Sequence, residues 1–250
     1  MQKHISKITI SLLLMGISVT ILGADNKIKM DDGPSLYRAE YKADYKGFPV
    51  KATGIRELKK DKNGIYTLSS TATSFLATIS ESSAFKVIDQ KITPIEYQYH
   101  RSGIGKKRDA VLNFDWQKMK VLNNVQSRPW QMAITDASMD KLVYQLQMRE
   151  DLMAIKASGQ AWPPLRYEIA DGGKLKVYEF EVMGTEVIDT PIGKVDTLKI
   201  MRIKHRKNRE TAFWLAPEYE FLLVRLQQLE GNGKGFELLL KNAIFNGKTL

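Results

Sequence analysis

The side chains that could carry catalysis are few and poorly grouped. The chain has no cysteine, which removes thiol nucleophiles, Cys-ligated zinc and disulfides. Its three histidines are His4, His100 and His205, and the last two stand beside Arg101 and Arg206. An adjacent cation disfavours a protonated imidazole and a bound metal ion, and histidine-based zinc sites need three or four ligands. We therefore expect no metal site and no cofactor.

Acidic pairs and glycine-rich stretches do not form a catalytic pattern either. Asp31-Asp32 lies in an N-terminal tail and Glu150-Asp151 at a predicted helix end, where solvation and capping explain them. The stretch Gly231–Gly235 separates two predicted strands, which is typical of a hairpin and not of a phosphate-binding loop. We predict that the protein is not an enzyme. The less favoured alternative is an envelope glycan hydrolase, which needs two carboxylates about 5–10 Å apart in a cleft.

Aromatic side chains at alternate strand positions are the best candidates for binding. A curved sheet can enclose an apolar cavity for a lipid or a similar ligand. Sheets also favour aromatic residues for packing alone, so cavity wall and core are both open readings. The candidates are Tyr37, Tyr41, Tyr45, Tyr97, Tyr99, Phe213 and Trp214.

The charge balance suggests an anionic partner. The chain has 38 Lys and Arg against 28 Asp and Glu, a formal net charge of +10. Lipid headgroups and other anionic envelope components surround an exported protein, whereas nucleic acid does not. Ordinary solubility charge is the competing explanation. A basic stretch gives the candidates for a surface that contacts an envelope protein partner: Lys204, Arg206, Lys207 and Arg209.

The first 24 residues have the layout of a secretory signal peptide. Lys3 and Lys7 precede fifteen uncharged residues, 8–22, and Gly23-Ala24 suits cleavage after Ala24. A membrane-spanning helix needs about 20 apolar residues, so we expect no spanning segment after removal. A lipoprotein would need a cysteine at this point. The expected location is therefore periplasmic or secreted.

The remaining chain reads as strands that would position these side chains. Residues 25–35 are expected to form a flexible tail and residues 36–250 a single β-rich domain, with a possible seam near 160–164. Runs of alternating apolar and polar residues are separated by short polar turns such as Asn63-Gly64, a strong hairpin signal. The predicted fold is mainly β, a large curved antiparallel sheet or an open barrel-like sandwich.

One segment near 136–152 breaks the strand pattern. Met139, Leu142, Val143 and Leu146 are spaced i, i+3, i+4 and i+7, which places them on one face of an amphipathic helix. Asp136 is the expected N-cap. The opposite face carries acids and bases without a large aromatic anchor, which favours packing against the sheet over lying on a membrane.

Several segments together resemble a known family. They are Thr190–Val195, Thr197–Ile200 and Arg209–Ala216, with the opening strand 37–45 and the helical segment 136–149. In order and spacing they resemble the bacterial exported proteins of the domain of unknown function 3108 family, over about residues 36–245. After the Trp-Leu motif, such proteins often carry a proline before the basic residue of the next strand, whereas this chain has the sequence Phe221–Arg225 there. The resemblance implies an envelope location and β architecture, and it implies no activity or site residue.

The leading hypothesis from the sequence is a non-enzymatic periplasmic envelope protein. It would bind a lipid or another amphipathic envelope molecule in a cavity of the sheet, with the helix over one opening. The alternative is an interaction or assembly module for an envelope complex, which would use strand edges or the basic stretch.

Overall fold

The computed structural model describes residues 33–46, 51–104, 107–203 and 209–250. Over these residues the chain forms one sheet of sixteen strands and one α-helix, α1, Tyr144–Ser158. The first eight strands are β1 Tyr37–Lys46, β2 Lys51–Lys60, β3 Tyr66–Thr73, β4 Ala77–Ile88, β5 Lys91–Gly103, β6 Arg108–Asp115, β7 Lys120–Val125 and β8 Arg128–Ala133. The other eight are β9 Ser138–Met139, β10 Leu165–Asp171, β11 Lys174–Thr190, β12 Gly193–Arg202, β13 Arg209–Ala216, β14 Leu222–Glu230, β15 Gly235–Phe245 and β16 Lys248–Thr249.

Strands that are neighbours in the sheet are nearly always neighbours along the chain. The order runs from β8 back to β1 and then from β15 back to β9, with β16 beside β15. The pairs are antiparallel, except that β9 runs parallel to β10. Two meanders therefore join at β1 and β15, where Tyr37 lies opposite Phe245 and Lys46 opposite Gly235. The predicted large antiparallel sheet with one helix is confirmed.

Alternation of side chains decides which face of each strand is buried. On β1, Ala39 and Tyr41 are fully buried, whereas Lys42 and Asp44 are exposed. The predicted turn at Asn63-Gly64 joins β2 to β3, and Gly64 has a φ of +78°, which favours glycine.

The two ends of the sheet differ in what covers them. We call lower the end that carries the β3–β4, β5–β6 and β14–β15 turns, and upper the end that carries the β2–β3 and β4–β5 turns. The helix lies at the upper end. Arg149 donates from Nε to the carbonyl of Glu220 at 2.9 Å, and Lys156 donates to the carbonyl of Pro217 at 3.3 Å, both in the β13–β14 connection.

Helix α1 packs against strands from both meanders. Gln145 accepts a hydrogen bond from Arg56 of β2 at 2.9 Å, and the ring of Tyr144 stacks on Phe180 of β11 with centroids 5.8 Å apart. Leu146 and Leu152 are almost fully buried. Because one helix meets both halves of the sheet, it fills the upper part of the interior.

The helix begins later than the sequence predicted. Asp136 does not cap it: the N-cap position is Val143, which makes no side-chain cap hydrogen bond. Met139 is instead in β9, where it pairs with Ile169 of β10. Asp140 accepts hydrogen bonds from the backbone N–H groups of Leu142 and Val143, both at 2.8 Å, and so fixes the turn into the helix.

Over the described residues, no ladder of hydrogen bonds joins the edge strands β8 and β9, so the sheet does not close there. We call the gap between β8 and the β9–β10 edge the seam, and side chains bridge it. Trp130 of β8 lies against Gly173 of the β10–β11 turn, where an added Cβ atom would be 2.0 Å from Trp130 Cζ2. Thr135 donates a hydrogen bond to Glu168 of β10 at 2.6 Å.

Candidate functional site

Most of the aromatic side chains that the sequence marked as candidates are core residues. Tyr41 and Tyr97 are fully buried, and Tyr37, Phe213 and Trp214 are nearly so. Tyr41 donates a hydrogen bond to the carbonyl of Leu223 at 2.9 Å, which ties β1 to β14. Tyr45 belongs to β1, but its side chain lies outside the described residues. The ligand-binding role of this set stays a prediction.

The interior beside the helix holds little free space. A cavity of about 20 Å³ remains there, bordered by Tyr37, Arg56, Arg149, Phe213 and neighbouring leucines. This volume accommodates about one water molecule. In this conformation the helix therefore occupies the space that a lipid would need among the predicted aromatic residues.

Below the helix start, two tyrosines border a charged cluster. Tyr97 donates a hydrogen bond to Glu81 at 3.1 Å, and burial followed by the nearby Glu81 charge raises the pKa of Tyr97. The ammonium of Lys141 lies 5.4 Å from the Tyr97 ring and 5.3 Å from the ring of the half-buried Tyr99. Lys141 is also 3.9 Å from Asp171. The cluster therefore fixes Lys141 and stabilises the folded chain around it.

Trp214, the residue after Phe213 on β13, is also covered. Its indole N–H donates to Glu186 at 2.6 Å. The cations of Lys199 and Arg225 lie 5.0 Å and 4.7 Å from its ring. Charged side chains thus shield this tryptophan from solvent, which leaves it poorly placed to contact a ligand.

Of the four basic residues proposed to contact a partner, only Arg209 is described. It begins β13 at the lower end and lies 3.2 Å from the carboxylate of Glu230 on β14. Lys204, Arg206 and Lys207 lie outside the described residues. The proposed partner surface stays a prediction.

An open groove lies along the seam near the upper end. It has a volume of about 390 Å³, within the usual range of about 300–1,000 Å³ for ligand sites. Helix α1 forms one wall and β10 the other. We call it the seam groove, lined by Gln90, Lys91, Ala137, Met139, Gln147, Asp151, Arg166, Tyr167 and Glu168.

The acids of the seam groove are occupied by partners within the protein. Asp151 accepts hydrogen bonds from the Tyr167 hydroxyl at 2.7 Å and from Gln147 at 2.8 Å. Burial, followed by the neighbouring Asp151 charge, raises the pKa of Tyr167, so its hydroxyl stays protonated and donates. Glu168 is held by Thr135. Neither carboxylate is left without a donor.

The cations of the groove are more available. Arg166 has a side chain that is 68 % exposed and lies 3.8 Å from Glu179, a loose ion pair. Lys91 contacts the backbone carbonyl of Asp136. Met139, which is almost fully buried, and the exposed Ala137 also line the groove. The lining therefore combines apolar side chains with the two cations Lys91 and Arg166.

The sequence did not indicate this groove. Its lining comes from the β4–β5 turn, the β8–β9 connection, the helix and β10, which are far apart in the chain. The usable signal was the departure from strand patterning at 136–152, because a helix set against a sheet creates grooves at its flanks.

The described ranges of the chain contain neither a cluster of metal ligands nor a helix suited to cross a bilayer. No three His, Asp or Glu side chains are grouped there as metal ligands would be. No helix in the described ranges has the length and apolar character needed to span a bilayer.

Comparison with known proteins decides the family. A family model for a protein of unknown function, DUF3108, matches residues 40–241. The chain belongs to this family. The resemblance of the strand and turn motifs to DUF3108 proteins is thereby confirmed. None of the curated proteins matches the DUF3108 chain in sequence.

A solved structure supports the architecture of this DUF3108 protein. It is similar to the crystal structure of a beta-barrel-like protein of domain of unknown function DUF1849 from Brucella abortus, with a TM-score of 0.53 and 9 % identity, over 84 % of this chain and 97 % of that one. At this identity the likeness concerns the fold alone. A "putative lipoprotein" from Parabacteroides distasonis matches over 84 % of this chain and 95 % of its own, at 9 % identity and a TM-score of only 0.31.

Proposed function

We propose that this protein is a non-enzymatic component of the bacterial cell envelope that binds an amphipathic anionic molecule in the seam groove. The observation that carries the proposal is the groove itself, about 390 Å³ of open space beside a packed interior. The apolar part of the ligand would lie on Met139 and Ala137. Its anionic group would lie near Lys91 and Arg166.

The proposal that the protein is not an enzyme rests on the hydrogen bonds that the polar groups of the seam groove make within the protein. A general acid or base must be free to exchange a proton with a substrate. Asp151 and Tyr167 are hydrogen-bonded to each other, and Glu168 is hydrogen-bonded to Thr135. These partners support binding and positioning over proton transfer. The envelope location rests on the leader-like residues 1–24 of the sequence.

The test fills the groove without disturbing the core. Ala137 lines the groove and is exposed, so Ala137→Trp should occupy the ligand space while the fold is kept. Ala133→Trp, on the exposed face of β8, is the matched control. The probe is 1-anilinonaphthalene-8-sulfonate, an anionic amphipathic dye whose fluorescence rises on binding.

We expect the wild-type protein and Ala133→Trp to bind the dye equally and Ala137→Trp to bind at least about tenfold more weakly, because a filled site loses the apolar contact area. Lys91→Gln should weaken dye binding less than Ala137→Trp does. Equal binding by Ala137→Trp and the control would reject the seam groove as the site.

A second candidate function rests on a free strand edge. β9 pairs with only Glu168 and Ile169 of β10, and the described sheet places no strand beside Leu165–Tyr167 on that side. An extended peptide of an envelope protein could add there as a strand. Native mass spectrometry of protein purified from envelopes separates the two candidates, since a small-molecule adduct and a bound polypeptide differ in mass.

A further inference from the structure

Two neighbouring turns at the lower end carry the most exposed large apolar side chains of the described chain. Phe75, in the β3–β4 turn, is 84 % exposed, and Ile104, after β5, is 70 % exposed. Ile79, close to the same turn on β4, is also exposed. We call Ser74–Leu76 together with Gly103-Ile104 the apolar tip. Burying a phenylalanine or isoleucine is favourable, and such a pair at a turn indicates a contact surface.

Several backbone groups of the apolar tip already have hydrogen-bond partners within the protein. The hydroxyl of Ser74 accepts hydrogen bonds from the N–H groups of Leu76 at 3.2 Å and Ala77 at 3.1 Å. The N–H of Ser74 donates to the carbonyl of Ala77 at 2.9 Å. Ile104 donates its N–H to the carbonyl of Leu76 at 2.8 Å. Polar backbone groups that already have partners enter a bilayer at a much lower cost.

Gly103 holds the two turns together. It has a φ of +95°, and a Cβ atom there would lie 2.3 Å from the carbonyl oxygen of Leu76. Any other residue would push the β3–β4 turn away from the chain after β5. The backbone that follows Phe75 therefore lies in direct contact with the backbone at Gly103-Ile104.

The surroundings of the tip are mainly basic. Lys107 and Arg108 are exposed at the start of β6, and Arg101 lies opposite Arg108 on β5. The nearby acid Asp109 is paired with His100. An apolar tip flanked by exposed cations matches a bilayer surface that offers hydrocarbon below anionic headgroups.

We propose that the apolar tip docks the lower end of the protein on an anionic phospholipid bilayer, with Phe75 and Ile104 inserted and Lys107 and Arg108 at the headgroups. A stable protein interface buries about 800 Å² from each partner, far more than two side chains offer. A shallow bilayer contact fits a tip of this size. This surface is distinct from the seam groove at the upper end, and either proposal can stand alone.

The test is flotation of the purified chain, residues 25–250, with vesicles of phosphatidylglycerol and phosphatidylethanolamine, compared with vesicles of phosphatidylcholine alone. The test variant is Phe75→Ser/Ile104→Ser. The matched control is Met183→Ser/Val187→Ser, which removes two apolar side chains of β11 that are 54 % and 59 % exposed. All four positions are exposed, so both variants should keep the circular dichroism spectrum and melting temperature of the parent.

We expect the parent and the β11 control to float with anionic vesicles, and the tip variant to partition about tenfold less, because two inserted side chains are lost. Lys107→Glu/Arg108→Glu should also reduce binding, and added salt should weaken the parent's binding by screening. Equal flotation of all variants would overturn the proposal, as would an absence of binding to anionic vesicles. If the tip variant instead lost self-association in light scattering, the tip would be a contact between two copies and the membrane proposal would fail.

Discussion

Ser83 of β4 donates its hydroxyl hydrogen to the carboxylate of Asp140, which lies 57 residues later at the foot of the helix. Asp140 is completely buried. Burial raises its pKa from 3.8 to about 6, although the hydrogen bonds from Ser83, Val143 and Leu142 act in the opposite direction. A single carboxyl group thus links the first meander to the helix and makes that link sensitive to pH.

The first prediction concerns the pH dependence of stability. The folded chain holds the Asp140 proton more tightly than the unfolded chain, so this group stabilises the fold below about pH 4. That stabilisation is lost as the pH rises through about 6. The difference between the two pKa values corresponds to about 3 kcal/mol of unfolding free energy, at about 1.4 kcal/mol per pKa unit. Asp140→Asn should flatten this part of the profile, measured by urea unfolding between about pH 4 and about pH 8.

The amide of Asp140→Asn keeps an acceptor for the N–H groups of Leu142 and Val143 and can donate to Ser83. We therefore expect the variant to be folded, and more stable than the parent at the upper end of the pH range. Glu150, whose pKa burial raises to about 7, contributes in the same direction and remains in both proteins. Asp189→Asn, at an exposed position, is the control. Identical pH profiles for the parent and Asp140→Asn would contradict the assignment.

The second prediction concerns the seam. Gly172 and Gly173 both have positive φ, of +63° and +78°, so alanine is strained at either position. Only at Gly173 would the new methyl group also meet Trp130. Gly172→Ala should cost about 1 kcal/mol of unfolding free energy, and Gly173→Ala about 2 kcal/mol more, because the indole must move. Chemical denaturation measures both.

A double-mutant cycle identifies the cause of that difference. In a Trp130→Ala background the clash is gone, so Gly173→Ala and Gly172→Ala should have similar costs. If Gly173→Ala stays the more harmful substitution without Trp130, the seam contact is not what destabilises it.

The third prediction concerns Arg149, which is 4 % exposed. Its guanidinium lies 5.0 Å from the ring of Tyr37 and 6.0 Å from that of Phe245. Arg149→Ala should lower the unfolding free energy by about 3 kcal/mol, through lost packing and ring contacts. Arg149→Met keeps most of the volume and should cost clearly less. Lys156→Ala, at an exposed position of the last helical turn, should cost under about 1 kcal/mol. Equal losses for the two Arg149 substitutions would show that packing is not the main contribution.

The fourth prediction concerns residues 1–24, which lie outside the described residues. If they are a secretory signal, the intact mass of protein recovered from a bacterial periplasm should correspond to a chain that begins at Asp25. Ala24→Arg should block cleavage, because the pocket of the peptidase takes small residues, and the longer chain should stay with the membrane fraction. A full-length chain in the cytosol would contradict export.

Local patterning predicted most of the sheet because hairpins are local structures. The alternation in β1 and the Asn63-Gly64 turn determine their strands without help from distant residues. β8 was missed because it contains Pro129 and its residues are almost all exposed, so no alternation marks it. β9 was missed because Met139, one of its two residues, fits the helical spacing. Pairing with β10, a tertiary contact, turns them into a strand.

The site was less predictable than the fold. Strand alternation showed correctly that Tyr37 and Tyr41 share a buried face, but it does not show what fills the space in front of that face. The answer is the helix, whose Arg149 lies over Tyr37. Long-range placement of one element therefore decides whether an aromatic face becomes a cavity wall or core.

The strand order determines which parts of the sheet can form first. β8 and β9 follow each other in the chain but lie at opposite ends of the sheet, whereas β1 and β15 are paired in the sheet but lie at opposite ends of the chain. The protein is thus a circular permutation of a plain up-and-down meander. The ladder of β1 needs β15, a strand that is synthesised long after it, so each half can form its hairpins before the junction between the halves forms.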